Sequence, residues 1–475
     1  MMLLSKAAQV LNGRLVGEDA RFTAVSSDSR NLAQGNLFIA LRGEHFDGYE
    51  FVATALQSGA VAAMVNADSY EAHPSILDPQ SSLLLVDDTR LALGQLAAYW
   101  RKQFDIPLVA ITGSNGKTTV KEMLTSILRA AAGSADAVLA TKGNLNNDIG
   151  MPLTLLQLNA AHRYAVIEMG MNHMGEIDYL TRIAVPDVAL INNAGGAHLE
   201  GLGSVDAVAQ AKGEIFVGLS ANGTAVINGD DAHAPLWRGL AGAHQLLEFG
   251  LNADADVSGT WQPHGEGLQL DVTAPQGMFA ADLHVPGEHN ARNALAAAAA
   301  AVALNIPLEK IAAGLEMFGG VSGRLQRKSG VGGAVLIDDT YNANPASFRA
   351  AISVLAQAGG KRVLVIGDMG ELGGDAAVLH AEIGTEARRV GIEKLYALGT
   401  LSDNAVREFG RGAQHFERIE DLQAALEKEL DANTTVLVKG SRFMKMERVV
   451  KYLESGEWGV GSGEAASHLP LPTSH

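Results

Sequence analysis

The run LVAITGSNGKTTV, residues 108–120, holds residue types whose spacing points to phosphate chemistry. LVAIT has the length and apolarity of a buried strand. Gly113, Ser114, Asn115 and Gly116 make a tight turn, and Lys117, Thr118 and Thr119 open a helix that runs on through VKEMLTSILRA. A strand, a glycine turn and a helix N-terminus aim backbone N–H groups and the positive end of the helix dipole at one oxyanion. Lys117 is placed to neutralise β/γ-phosphates and Thr118 to offer a hydroxyl to Mg²⁺. The usual phosphate loop sets its first glycine about five residues before the second; here Gly113 and Gly116 are three apart. A glycine-rich turn can be a mere connection, but a GKT triplet at a strand-to-helix junction favours phosphate.

Further candidates stand where strands end, the place at which open α/β sheets collect function. Glu168 closes YAVIEMG, and a carboxylate beside a phosphate loop suits Mg²⁺, which prefers hard oxygen donors. His198 follows DVALINN in the second glycine-rich loop, AGGAHLEG. Asp338, Asp339, Tyr341, Asn342 and Asn344 crowd the end of AVLIDD. The two carboxylates there suit ribose hydroxyls or a cation, and the cluster also suits capping of a helix starting near Pro345. Arg324, in SGRLQ, is a mobile cation between two nucleotide-sized units, a position for a group that reaches the γ-phosphate on domain closure. Lys212 lies on the helix SVDAVAQAKGEIF, capped by Ser204, with Val205, Val208, Ala209, Ile215 and Phe216 as its buried face. Spacing alone makes Lys212 a surface lysine with a buried stem.

The elements that position these groups alternate between strand and helix, the pattern of a parallel sheet with crossover helices. At 475 residues the chain is too long for one core, and ~150 residues per domain suggests three. The first unit, residues 1–86, has short strands and helices and ends in SLLLVDD. The helix TRLALGQLAAYWRKQF leads into a central unit, 87–320, whose strands include YAVIEMG, DVALINN and GTAVING. Period-two alternation from about 252 to 285 marks an antiparallel insertion. From 321 to 455 the pattern restarts with four strands, AVLIDD, KRVLVIGDM, KLYALG and TTVLVKGS, a doubly wound unit with no phosphate loop. The Gly/Ser/Pro-rich tail, 456–475, has a disordered composition. The expected fold is therefore α/β in three domains: a small N-terminal substrate domain, a central phosphate-loop parallel-sheet domain and a Rossmann-like C-terminal domain.

Composition removes several function classes. The net charge of −17 argues against nucleic acid or an anionic membrane as partner, so an anionic substrate needs a local basic pocket. With no cysteine, thiolate catalysis, disulfides and Cys-based zinc sites are excluded. MMLLSKAAQVLNG reads as an amphipathic helix rather than a signal peptide, and no run reaches the ~18 apolar residues of a membrane span. A cytoplasmic location with no membrane insertion is the expectation.

Taken in order, ITGSNGKTT, GNLNNDIGMPLTLL, EMGMNHMGEI, NNAGGAHLEGLGS with AKGEI, GEHNARNALAAAA, GRLQ, DDTYNANPAS, GDMGELG and VKGSRFMKME resemble the Mur ligases. SSDSRNLAQGNLFIALRGEHFDGYEF resembles that family's UDP-binding domain, with Tyr49 standing where His is expected after Asp-Gly. The resemblance covers residues 1 to about 455. It implies a monomeric, ATP-driven amide ligase acting on UDP-N-acetylmuramoyl-tripeptide and D-alanyl-D-alanine, and it carries roles onto matching residues. Gly113, Ser114, Asn115, Gly116, Lys117, Thr118 and Thr119 would hold ATP. Thr118 and Glu168 would bind one Mg²⁺ and His198 a second. Lys212 would be carbamylated by CO₂ into a carboxylate-like metal ligand, against the surface reading from spacing. Asn293 would contact adenine, Asp339 the ribose and Arg324 the γ-phosphate side. Ser29, Arg30, Asp47 and Gly48 would lie at the uridine diphosphate, and Asn144 and Asn147 near the sugar-peptide. Two rivals remain at this point: another ligase of the superfamily, with a single amino acid or folate as substrate, and a phosphate-loop GTPase. The GTPase lacks its guanine motif here, since TKGN has Asn in the Asp position.

Overall fold

The computed structural model describes residues 1–43, 46–73, 81–196, 199–252 and 254–455. His198 and the tail 456–475 lie outside the described residues. The strands form three main sheets, all α/β in character, and a small ribbon pairing Met2–Leu3 with Arg21–Phe22.

In the first sheet, Leu83–Val86, Ala62–Asn66, Asn36–Ile39 and Ala24–Ser26 run parallel in that order, and Arg14–Val16 pairs antiparallel on the Leu83–Val86 edge. All four residues of Asn36–Ile39 are buried, as in a strand covered on both faces. Tyr49 is also buried, and its hydroxyl donates to the His73 carbonyl at 3.1 Å. The helix Thr89–Arg101, capped by Asp88, links this sheet to the next. One apolar cluster runs from Leu4 and Leu37 through Leu93 and Leu96 to Leu155 and Ile177, so the first two sheets share a core.

The second sheet has nine strands, and the phosphate-loop strand Leu108–Thr112 lies between Tyr164–Glu168 and Val188–Ile191, parallel to both. Register sets Glu168 opposite Ile111, one residue before the loop strand ends. The expected insertion is antiparallel, Val257–His264, Gly267–Ala274 and Gly277–Leu283, but it is not separate. Val257–His264 pairs in parallel with Gln245–Gly250 and so extends the main sheet. The loop helix Lys117–Ala132 and the alanine-rich helix Glu288–Ala303 cover one face together. Alanines let the second helix sit close to the strands, which is why Ala294 through Ala301 are fully buried. Gly133, with φ +71°, ends the loop helix in the left-handed turn that glycine adopts without strain.

The third sheet has six strands rather than four. Val335–Asp339, Thr434–Lys439, Lys361–Gly367, Lys394–Leu398 and Ala413–Phe416 run parallel in that order, and Gln326–Ser329 adds an antiparallel edge. The two strands missed from sequence, QRKS and AQHF, are short and half polar, so they lack the apolar signature of their buried neighbours. Among the described residues, no helix is long and apolar enough to cross a membrane.

Candidate active site

A cleft of about 2470 Å³ opens at the C-terminal ends of the second and third sheets, and the phosphate loop forms its floor. Ser114, Asn115, Gly116, Lys117, Thr118 and Thr119 all line it. Gly116 precedes the loop helix at φ +78° with no side-chain cap, which leaves the helix's first N–H groups open. A Cβ at Gly116 would fall 2.4 Å from Asn293 Oδ1 and 2.6 Å from Asn192 Nδ2, so only glycine fits. Gly113, at φ +157°, is nearly extended. Two neighbouring asparagines hold the turn: the Asn115 N–H donates to Asn193 Oδ1 at 2.8 Å, and its carbonyl accepts from Asn192 and Asn193. Ser114 exchanges hydrogen bonds with Gly195.

The half-buried Lys117 folds back and donates to the Gly113 carbonyl. Desolvation lowers its pKa, with Arg324 acting in the same sense and Glu168 opposing. Thr118 Oγ1 donates to Glu168 Oε2 at 2.9 Å, and Asn146 Nδ2 donates to Glu168 Oε1 at 2.9 Å. Glu168 is buried, its N–H bonded to Thr141 Oγ1. Two hard oxygen donors thus meet beside the loop, the donor type Mg²⁺ takes.

Arg324 is docked rather than free. Its guanidinium donates to Thr118 Oγ1 at 3.1 Å and lies 4.2 Å from the Tyr341 ring centroid. Asn344 makes a second bridge, from Nδ2 to Asn115 Oδ1 at 2.8 Å. Asp339 is buried and paired with Lys439 at 2.6 Å, and it also accepts from the Leu325 N–H. Burial raises the Asp339 pKa and lowers that of Lys439, each shift opposed by the other's charge. Asp338 turns instead to Lys328, 3.2 Å away, and to Thr340.

Lys212 overturns the surface reading. It is 2% exposed, because the helix Val205–Gly213 presents it inward with Val208, Ala209 and Ala211. Desolvation, reinforced by Lys117, puts its pKa well below that of a free lysine. Among the described residues it has no hydrogen-bond or ion-pair partner, and it does not line the cleft. Ser204 caps this helix as expected, accepting from the Ala207 N–H at 3.1 Å.

The remaining candidates divide. Asn144 and Asn147 line the cleft, and Asn147 also accepts from the Gly150 N–H at 2.8 Å to start the next helix. Asn293 is buried behind the loop, bonded to Asn192 at 3.1 Å and to Asn290 at 3.3 Å. Ser29, Arg30, Asp47 and Gly48 do not line the cleft. Arg30 pairs with Asp28, and Asp47 accepts from Ser69 at 2.7 Å and from the Tyr49 N–H. Asn146, Asn192 and Asn193 were not singled out from sequence. They sit inside the GNLNN and NNAGG runs, where one asparagine looks like another until the fold orients them.

Fold and loop together define a phosphate-loop α/β protein whose third sheet delivers a cation to the loop. Three family models match in order: "Mur ligase family, catalytic domain" over 21–101, "Mur ligase middle domain" over 111–301 and "Mur ligase, glutamate ligase domain" over 323–442. The chain is 42% identical over 455 residues to the UDP-N-acetylmuramoyl-tripeptide–D-alanyl-D-alanine ligase of Escherichia coli (strain K12), covering 95% of this chain and 98% of that one. The ligase of the same name from Bacillus subtilis (strain 168) is 35% identical over 94% of this chain and 97% of its own. Among solved structures, MurF from Acinetobacter baumannii is similar with a TM-score of 0.87 and 37% identity, covering 95% and 98%. The MurF ligase of Thermotoga maritima in complex with ADP aligns with a TM-score of 0.79 and 26% identity, covering 92% and 98%. The chain belongs to the Mur ligase family.

Proposed function

We propose that this chain is an ATP-dependent amide ligase that joins D-alanyl-D-alanine to the terminal carboxylate of UDP-N-acetylmuramoyl-tripeptide, giving the pentapeptide precursor of peptidoglycan. The observation that carries this reading is the meeting of three parts at one hydroxyl: Thr118 Oγ1, on the loop helix, touches both Glu168 of the central sheet and Arg324 at the entry to the third. That is a phosphate site able to sense both sides of the cleft.

In this reading residues 1–86 bind the UDP-sugar, with Ser29, Arg30, Asp47 and Gly48 at the uridine diphosphate. Residues 87–320 carry ATP, with Asn293 toward adenine and Asn144 and Asn147 toward the sugar-peptide. Residues 321–455 close over the nucleotide, with Asp339 toward ribose. The chain acts as a monomer in the cytoplasm. The tripeptide carboxylate attacks the γ-phosphate, ADP leaves, and an acyl phosphate results. The dipeptide amine then attacks the acyl carbon, and the tetrahedral intermediate collapses to amide and phosphate. The electrostatic difficulty is bringing two anions together, and Lys117 and Arg324 supply fixed positive charge where it is needed.

Thr118 and Glu168 fit one Mg²⁺, and His198 with Lys212 is assigned to a second; the ions would supply further neutralisation of phosphate charge. Burial lowers the Lys212 pKa and so shifts the amine toward its neutral form, the form that adds CO₂, which supports a carbamylated lysine at this position.

Phosphate release tests the function. It should require ATP, UDP-N-acetylmuramoyl-tripeptide and D-alanyl-D-alanine together. Steady hydrolysis of GTP or ATP alone, indifferent to both substrates, would overturn the reading in favour of a nucleotide switch.

A further inference from the structure

The strand Lys361–Gly367 ends in a loop, DMGELGG, held by two hydrogen bonds just before a residue with a left-handed backbone. The Met369 N–H donates to His380 Nε2 at 2.8 Å, and the Gly370 N–H donates to Ser441 Oγ at 2.9 Å. Ser441 Oγ in turn donates to the Ala343 carbonyl, beside Asn344 and its contact with the phosphate loop. Glu371, the next residue, lines the cleft and is exposed to it, with φ +60°. That is the left-handed region, disfavoured for a residue with a Cβ. Glycines stand at 370, 373 and 374, yet the strained position carries a carboxylate.

Two neighbours define what this carboxylate meets. Phe443 lines the same cleft at 62% exposure, and a Cβ on Gly370 would lie 3.0 Å from its ring. A carboxylate and an open apolar ring therefore flank one backbone glycine. Glu371 and Lys117 line the same cleft, and the Glu371 charge acts to raise the Lys117 pKa. A carboxylate at this place in the cleft attracts a substrate that arrives as a cation.

The acceptor is such a cation. An α-amine titrates near ~7.7–8.0, so at neutral pH the dipeptide enters chiefly as ammonium and must lose a proton before its lone pair can attack. We propose that Glu371 holds the α-ammonium of the incoming dipeptide and takes its proton, with Phe443 as the apolar surface for the dipeptide's methyl groups. This rests on the ligase reading above. The step balances: the ammonium gives one proton to the Glu371 carboxylate, and the free amine forms the C–N bond. The C–O bond to phosphate breaks, and the second amine proton leaves with the phosphate.

The test uses the full chain with ATP and UDP-N-acetylmuramoyl-tripeptide, and two acceptors. Hydroxylamine is largely unprotonated at neutral pH, needs no base and traps the acyl phosphate as a hydroxamate. Glu371→Gln should lower ligation of D-alanyl-D-alanine about a hundredfold near neutral pH, the low end for a lost general base, while hydroxamate formation stays within about twofold of the parent. The ligation deficit should shrink as pH is raised and the amine deprotonates unaided, and Glu371→Asp should restore part of the rate. Equal loss with both acceptors would overturn the proposal, because Glu371 would then act on ATP or on the loop's fold. Unchanged ligation would overturn it too. A parent protein that makes no hydroxamate would instead sink the ligase reading itself.

Discussion

Two helix N-termini face the same cleft and do opposite things. The loop helix Lys117–Ala132 begins after a left-handed glycine with no cap, so its first N–H groups are free for a phosphate. The helix Pro345–Ala356, at the end of a strand in the third sheet, begins with a full capping box. Asn344 Oδ1 accepts from the Ser347 N–H at 2.9 Å, and the Asn344 N–H donates to Ser347 Oγ at 3.0 Å. Pro345 removes one donor more. Both ends sit after parallel strands, and both have the dipole for an anion. The difference is satisfaction: a filled N-terminus holds its own chain in place, and an empty one holds a ligand. The third unit therefore contributes side chains to the nucleotide, Arg324 above all, rather than a second phosphate cradle.

Filling the empty end is the largest break in that contrast. Gly116→Ala would strain the left-handed backbone and drive a methyl into Asn293 and Asn192. Turnover should fall by at least the ~10²–10³ expected for losing one transition-state donor, and ATP affinity should fall with it. Lys117→Ala should reach a similar rate loss with near-normal thermal stability, since among the described residues that side chain hydrogen-bonds only to the loop it serves. Near-normal turnover in either variant, measured as ATP- and dipeptide-dependent phosphate release, would remove the loop from the site.

Much of this contrast was legible in the chain itself. GSNGKTT declares an open helix start, and NANPAS declares a closed one, because Asn before Pro with Ser three residues after the Asn is a capping pattern. Glu168 was readable because a carboxylate ending an apolar strand is unusual. Lys212 was not, because periodicity gives a lysine's distance from an apolar face and not the depth at which a neighbouring helix covers it. Asn192 and Asn193 escaped for a related reason: their work is to hold the Asn115 peptide, a contact across some 77 residues that no local pattern encodes. The short strands Gln326–Ser329 and Ala413–Phe416 depend on edge pairing, which a single sequence does not display.

The buried pair beneath the closed N-terminus sharpens the comparison by stability rather than rate. Lys439 donates to Asp339 and to the Asn342 carbonyl at 2.9 Å, anchoring the strand ends that carry Arg324's ring partner Tyr341 and the cap Asn344. Lys439→Met would leave a buried carboxylate uncompensated, a loss of about 3–5 kcal/mol. Urea unfolding should show the loss in a transition assigned to the third unit. Removing both charges together, Lys439→Met with Asp339→Leu, should recover part of the stability without recovering turnover. Full recovery of turnover would mean that the pair serves the fold alone.

The smallest effect separates the two duties of Asn344. As a cap it is worth about 1 kcal/mol, and Ser at the same place keeps most of that, whereas Ala loses it. As a bridge it reaches Asn115 Oδ1 from the far side of the cleft, which the shorter Ser side chain is not expected to do. Asn344→Ala should thus lower both unfolding free energy and ATP affinity, and Asn344→Ser should lower ATP affinity alone. The two quantities are read independently, one by denaturant titration and the other by nucleotide binding at equilibrium. If affinity follows stability through both variants, the bridge adds nothing to nucleotide binding, and the third unit reaches the loop through Arg324 alone. If affinity falls in the serine variant with stability intact, the capped helix start takes part in nucleotide binding through the residue that closes it.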